Sequence, residues 1–366
     1  MDKYRSDRHV EYKYIESSIG DTKLGNGGQL NKMELDEARG MMVGTAIGDA
    51  MGAPLEFEPK CRPEDNLVTD MIGGGHHGVE AGEWTDDTAM MLALADAYTS
   101  MPYPQNGLDP VKAMENFYAW YSEGKYQSRG ECFDIGYTTR SALENWHNGI
   151  AEHANYAFMK DYVFRARSNE KESGNGAMMR LAPVIVANAT PNAYLDNLSS
   201  VVQDTVVQTL LTHGGKEAID LNVELANTLY RMNWEIYVSD YSDQVPYVLS
   251  HMYDPSTPRE QIMSGGYVKE TYNAALWAFD NAVEKAFINF DEDGYAIFDK
   301  SDIFRNTIIN AINLGHDSDT TGAIAGMIAG RILGMEYIPK EWLEKLHWKD
   351  KIIAEADRLY SYNQPF

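Results

Sequence analysis

The sequence predicts an all-α fold on three observations. From residue 34 onward apolar residues recur at helical spacing. Strand-like alternation is short and scattered. Two Asp- and Thr-rich clusters, Trp84-Thr85-Asp86-Asp87-Thr88 and Gly315-His316-Asp317-Ser318-Asp319-Thr320-Thr321, each stand directly before a run of small and apolar residues that reads as a helix. The first predicted helix covers 34–51 and carries Gly40, Gly44, Gly48 and Gly52 at four-residue spacing. That spacing lines one helix face with almost no side chain, which suits close approach of another helix or a ligand. Pro54 ends the regular structure and leaves Glu56 at the junction. Further helices are expected over 86–99, 110–122, 137–148, 200–213, 215–231, 268–287, 301–314, 321–333 and 340–360. The two clusters lie near opposite ends of this helical region, so one domain, 34–366, must bring them together.

Residues 1–33 read as a separate N-terminal extension. Lys3, Arg5, Arg8, Lys13, Lys23 and Lys32 nearly balance Asp2, Asp7, Glu11, Glu16 and Asp21, so the remainder carries the acidic excess. Val10, Tyr12 and Tyr14 alternate with Glu11 and Lys13 as in a strand, and Gly25-Asn26-Gly27-Gly28 reads as a flexible joint. Tyrosines are favoured anchors at protein interfaces, which makes the extension a candidate partner-binding segment; a solvated tail is the plainer alternative.

Composition narrows the function classes. The chain has 366 residues, 44% hydrophobic and 23% charged, ordinary for a globular protein with a substantial core. A net charge of −24 argues against general affinity for nucleic acid or anionic membranes. Cys61 and Cys132 are the only cysteines, which implies no disulfide framework and a reducing, cytoplasmic setting. The first residues lack the apolar core of a signal peptide, and no apolar run reaches the roughly 18 residues that span a bilayer.

The two clusters carry the chemistry. Asp86, Asp87, Asp317 and Asp319, with their neighbouring hydroxyls, form an all-oxygen donor set that suits Mg²⁺ or Mn²⁺ better than zinc. If the helix starts meet, they can hold two ions about 3.5–4 Å apart and make the protein a metal-dependent hydrolase. Each Asp or Thr alone reads more readily as an N-cap than as a ligand. Capping needs only one such residue, however, and adjacent acids add repulsion that a cation would remove. Neither cluster has EF-hand spacing, and Asp291-Glu292-Asp293-Gly294 reads as a turn. Lys171 to Arg180 places Gly174-Asn175-Gly176 in a turn before an apolar helix start, where backbone amides could receive phosphate. His213 is a lone histidine, more often structural than functional. Gly73-Gly74-Gly75-His76-His77-Gly78 has no strand–helix context for a dinucleotide site.

The ordered series GTAIGDAMGAPLEF, GEWTDDTAM, FDIGYTTRSALENWHNG, SGNGAMMRLAPV, THGG, GGYVKETYNAALWAF and NLGHDSDTTGAIAGMIAG resembles the ADP-ribosylglycohydrolase family from about residue 36 to 350. The resemblance implies a compact, orthogonal helical fold with a dinuclear Mg²⁺ or Mn²⁺ centre. It maps Thr85, Asp86, Asp87, Asp317, Asp319 and Thr320 onto metal ligands and Glu56 onto an acidic residue at the scissile bond. Gly174, Asn175 and Gly176 match the loop cradling the ADP-ribose, and His213 matches a residue beside the nucleotide. The implied activity is hydrolysis of the bond joining ADP-ribose to arginine on a modified protein. Glu56 is the candidate general acid or base, with Asp134 in reserve. The cations and helix-start amides would have to supply the positive potential that so acidic a chain lacks for a diphosphate.

One departure stands out. The family commonly has Gly-Gly-Asp-Thr-Asp-Thr where this chain has Gly315-His316-Asp317-Ser318-Asp319-Thr320, so His316 adds bulk beside the expected metals. The extension lies outside the usual family domain. Family members that give immunity against ADP-ribosyltransferase toxins share this layout, so residues 1–33 are expected to contact such a toxin. The alternative reading is a binding inhibitor acting through this extension, with hydrolysis secondary or absent.

Overall fold

The first predicted helix forms as α1, Leu35–Gly52, in a computed structural model that describes residues 33–62, 66–100, 107–149, 172–189, 198–233, 235, 253–254, 256–290 and 296–362. A capping box fixes its start, the Glu34 backbone N–H donating to the Glu37 carboxylate at 2.7 Å. The strand-like segment and glycine joint of the extension, Lys171, and the acidic turn at 291–294 lie outside the described residues.

The chain then builds α2 (Asp86–Thr99), α3 (Pro110–Glu123), α4 (Tyr137–Gly149), α5 (Ala182–Asn188), α6 (Leu198–Leu210) and α7 (Lys216–Arg231). After these come α8 (Val268–Ala286), a small antiparallel hairpin of β1 (Phe287–Phe290) and β2 (Ala296–Phe298), then α9 (Ile303–Ile312), α10 (Ser318–Leu333), α11 (Lys340–Lys345) and α12 (Lys349–Tyr362). The fold is all-α, the hairpin being the only sheet among the described residues. No helix there is long and apolar enough to cross a membrane.

The central pair is α1 against α10. Both are buried along nearly their whole length. The four-residue glycine series of α1 meets a matching series on α10, and the contact is backbone to backbone. A methyl group added at Gly48 would stand 1.9 Å from Gly322 O, at Gly44 2.3 Å from Gly326 O, and at Gly40 2.3 Å from Gly330 O. At the last rung, Gly52 lies against Ser318 and Asp319, and the Ser318 hydroxyl donates to Gly52 O at 2.9 Å. The glycines therefore set the distance between the end of α1 and the start of α10. α8 and α9 pack on α10, while α2, α5 and α12 close the other side of α1.

Three differences from the sequence prediction bear on the site and its support. The helix expected over 321–333 starts at Ser318, which puts Ser318, Asp319 and Thr320 in its first turn. The single helix expected over 340–360 is two, interrupted where Trp348 takes φ 53°. That break is held from outside. The His347 N–H donates to Gly82 O at 3.1 Å, and Trp348 packs edge-on against Trp84 with ring centroids 5.3 Å apart. The interruption thus anchors the segment that carries the first acidic cluster. The third difference is α5, a fully buried seven-residue helix that the apolar start after Arg180 only hinted at.

Candidate active site

The two acidic clusters meet at the N-terminal ends of α2 and α10. Thr85 stands before α2 and Asp317 before α10, yet neither side chain caps its helix. The cap of α2 comes from another helix. Asp49 of α1, fully buried, accepts from the Thr85 N–H at 2.9 Å and hydroxyl at 2.8 Å, and from the Thr88 N–H at 2.9 Å and hydroxyl at 2.6 Å. One carboxylate so satisfies two orphan amides of the helix start and fixes the backbone bearing Asp86 and Asp87. The Thr85 hydroxyl also lies 3.2 Å from Asp87 Oδ2 and 3.2 Å from Asp319 Oδ2, which joins the two clusters directly. Capping does not account for this many acids in one place.

A cavity of about 610 Å³ opens over the junction, lined by Glu56, Asp86, Asp134, Asp317, Asp319 and Thr320 together with Asn175, His213 and the backbones of Gly174, Gly176, Gly265 and Gly266. Thr85 and Asp87 sit one layer behind its wall and are fully buried. Burial holds the Asp86 carboxyl well above the usual carboxylate range, reinforced by Asp134 and Glu56. Burial does the same to Asp87, helped by Asp49 and Asp86, and to Asp319, helped by Glu56 and Asp87. Asp134 is pushed up to about 7 by burial and then by Glu56.

Such a set is costly as bare charge and is satisfied either by protons or by cations. The donor chemistry fits a hard divalent cation. Glu56, Asp317 and Asp319 can bring carboxylate oxygens within 4.8 Å of one another, and Asp87 Oδ1 is buried without a hydrogen-bond donor among the described residues.

The remaining predicted residues fall around the same cavity. Glu56 accepts from or donates to His77 Nε2 at 2.8 Å, and Asp134 Oδ2 stands 3.8 Å from the same nitrogen. The hydrogen bond to Glu56 raises the His77 pKa against the opposing effect of burial. Asn175 bridges two walls, its Nδ2 donating to Asp317 Oδ2 at 2.7 Å and Thr271 Oγ1 at 2.9 Å. His213 packs closely against the glycine loop, since a methyl at Gly176 would come within 2.9 Å of its Cε1. Its Nδ1 lies 2.8 Å from the Thr212 hydroxyl, which also accepts from the buried Arg180 at 2.8 Å. The loop is not a helix start, however. The amides of Met178 and Met179 fold back onto Asn175 O, and the Asn175 amide is taken by Gly266 O, so these three are committed within the protein.

Two non-glycine residues on the cavity wall hold left-handed backbone, Phe57 at φ 64° and His316 at φ 59°. Each such residue costs about 1–3 kcal/mol. They clasp each other: the Phe57 N–H donates to His316 O at 2.6 Å, and the His316 N–H to Glu58 O at 2.7 Å.

Comparison with known proteins agrees with the motif order. The family model described as ADP-ribosylglycohydrolase matches residues 31–365. The chain belongs to the ADP-ribosylglycohydrolase family. As a member it is a hydrolase of ADP-ribosyl groups. It is 35% identical to ADP-ribosylarginine hydrolase Tri1 of Pseudomonas putida (strain GB-1), covering 89% of this chain and 78% of that one. It is 27% identical to the ADP-ribosyl-[dinitrogen reductase] glycohydrolase of Rhodospirillum rubrum, covering 86% and 91%. Among solved structures, an ADP-ribosylglycohydrolase-related protein complex superposes with a TM-score of 0.62 at 29% identity, over 90% of this chain and 99% of that one.

Sequence reasoning missed three residues that shape this ADP-ribosylglycohydrolase site. Asp49 lies inside the first family motif with no local sign of its role, although an acid on the buried part of a glycine-spaced helix needs partners. His77 belongs, in sequence, only to a glycine-rich run without dinucleotide context. Arg129 had no signal at all, yet it donates to His77 O, Gly78 O and the Glu83 carboxylate and so holds the loop that presents His77.

Proposed function

We propose that this hydrolase removes ADP-ribose from arginine side chains of modified proteins, in the cytoplasm, with two divalent cations, Mg²⁺ or Mn²⁺. The observation that carries the reading is the convergence of both acidic helix starts, Glu56 and the Gly174–Gly176 loop on one cavity. The arginine linkage follows the two relatives named ADP-ribosylarginine hydrolase, from Pseudomonas putida at 35% identity and Serratia proteamaculans at 33%.

The ligands would be Asp86, Asp317, Asp319 and Thr320 on the cavity wall, with Thr85 and Asp87 behind them. Bound cations would supply Lewis-acid chemistry, polarising ribose hydroxyls and acidifying water. The chain's own residues do the rest. Asn175 orients Asp317, and the glycine loop with His213 receives the nucleotide. Glu56, with Asp134 in reserve, moves the proton as the C–N bond breaks and a water oxygen bonds to the sugar carbon; the proton ends on the departing guanidine. The facing carboxylates stabilise the oxocarbenium-like sugar. A decisive assay measures release of ADP-ribose from an arginine-modified protein by wild type, Asp86→Ala and Asp319→Ala, with and without chelator. Equal release by all three, or release indifferent to chelator, sinks the reading.

A second function rests on residues 1–30, which fall outside the family match and, with the few residues that follow, differ in charge balance from the remainder. This extension would bind an ADP-ribosyltransferase toxin and confer immunity by blocking it. Deleting residues 1–33 should then abolish a stable complex with the transferase while hydrolysis persists; a complex that survives the deletion refutes it.

A further inference from the structure

We infer that Phe57 and His316 form the subsite for the leaving side of the scissile bond, gripping the modified arginine rather than the nucleotide. The inference rests on the arginine reading above.

It starts from a conflict between backbone and side chain. Both residues occupy left-handed backbone that glycine would hold without strain. Neither earns its place by packing: Phe57 is 63% exposed, and His316 is exposed as well. An unfavourable backbone carrying an exposed ring has no explanation in the stability of the fold, and such residues gather at ligand clamps. The two are coupled, because the backbone hydrogen bond from Phe57 to His316 fixes one ring relative to the other.

Position decides which part of the substrate they meet. On the reading above the glycine loop and His213 receive the nucleotide, whereas Phe57 directly follows Glu56, the residue that moves the proton, and His316 directly precedes Asp317. A group bonded to the sugar carbon beside Glu56 then lies next to this pair, both members of which line the cavity. The group is a guanidinium, planar and cationic, and it stacks on aromatic faces. Phe57 is braced for that by His76, edge-to-face at 5.1 Å, and the carboxylates of Glu56 and Asp134 lie beside it. A serine-linked or acetylated sugar offers no cationic plane.

Because glycine suits both backbones, Phe57→Gly and His316→Gly remove the rings without straining the fold. The test compares wild type, both single variants, the double variant, Phe57→Tyr and Phe57→Leu, using an ADP-ribosylarginine peptide for kinetics and ADP-ribose for calorimetric affinity. The double variant should raise KM for the peptide about tenfold, as expected from losing two stacking contacts. Its affinity for ADP-ribose should stay within about threefold, Phe57→Tyr should restore KM, and Phe57→Leu should not. An active wild type whose variants keep its KM overturns the subsite. So does a parallel loss of ADP-ribose affinity, which would place the pair on the nucleotide side. A wild type unable to release ADP-ribose from arginine overturns the parent reading and this one together.

Discussion

Replacing Gly44 by alanine tests whether the glycine contact between α1 and α10 sets the site. Two effects oppose each other. In a helix interior the substitution gains roughly 1 kcal/mol from reduced backbone entropy in the unfolded chain. Against that, the new methyl would stand 2.3 Å from Gly326 O, with Phe304 Cε2 at 3.3 Å. A comfortable carbon–oxygen contact is about 3.3 Å, so the helices must part by roughly 1 Å. The obstacle is backbone on a buried helix and cannot rotate away. Overpacking of this kind costs typically about 1–3 kcal/mol, here towards the upper end, so the net loss is about 2 kcal/mol. For a protein of this size that lowers Tm by roughly 2–3 °C. Activity should fall further, since a displacement of about 1 Å at a catalytic constellation can cost on the order of a hundredfold. Gly149→Ala, where an added methyl meets nothing within 4 Å, serves as the control. Calorimetric melting of both variants decides the matter. A Gly44→Ala protein that melts at or above wild type would refute the claim that backbone contact at the glycines holds the two helices together.

Three further outcomes follow from the site. Asp49→Asn turns part of a four-way acceptor into a donor facing the Thr85 and Thr88 amides, and leaving one buried N–H unsatisfied costs about 1–3 kcal/mol; urea unfolding should show the loss, and unchanged stability would remove Asp49 as the cap of α2. Asn175→Ala frees Asp317 from its 2.7 Å bond, so Mn²⁺ affinity by calorimetry should weaken roughly 10–100-fold, and wild-type affinity would exclude a role in orienting that carboxylate. In metal-free protein, Asp134 titrates near 7 instead of 3.8, so between those values the folded chain keeps a proton the unfolded chain has lost. Stability should therefore fall as pH rises through that window and level off above it, and Asp134→Asn should flatten the slope; identical melting-versus-pH curves for the two proteins would contradict the assignment.

The parts of this molecule that could be read from sequence are those coded by local pattern. Helical spacing gave most elements, and the four-residue glycine series announced a close contact on α1. Its partner was equally visible in Gly322, Gly326 and Gly330, but nothing local says that the two series face each other. Both acidic clusters could be read because adjacent buried acids have few structural uses. Asp49 could not be assigned, because its partners lie 36 and 39 positions away. The break at Leu346–Trp348 was equally hidden: no proline or glycine marks it, and its cause is contact with Gly82 and Trp84. The strain at Phe57 and His316 is likewise a product of tertiary clasping, although His316 did stand out as a departure from the family pattern.

Thr85 and Asp319 are separated by 234 positions yet touch: the Asp319 helix meets α1 through bare main chain, and Asp49 of α1 holds the Thr85 end. No rotamer lies in that seam to soften it. Exposed loops between them can drift in composition without shifting the acids, provided the seam still closes. Phe57 and Tyr137, exposed on the cavity lining, lie outside that seam and are free to be reshaped for a new target while the chemistry beneath stays put.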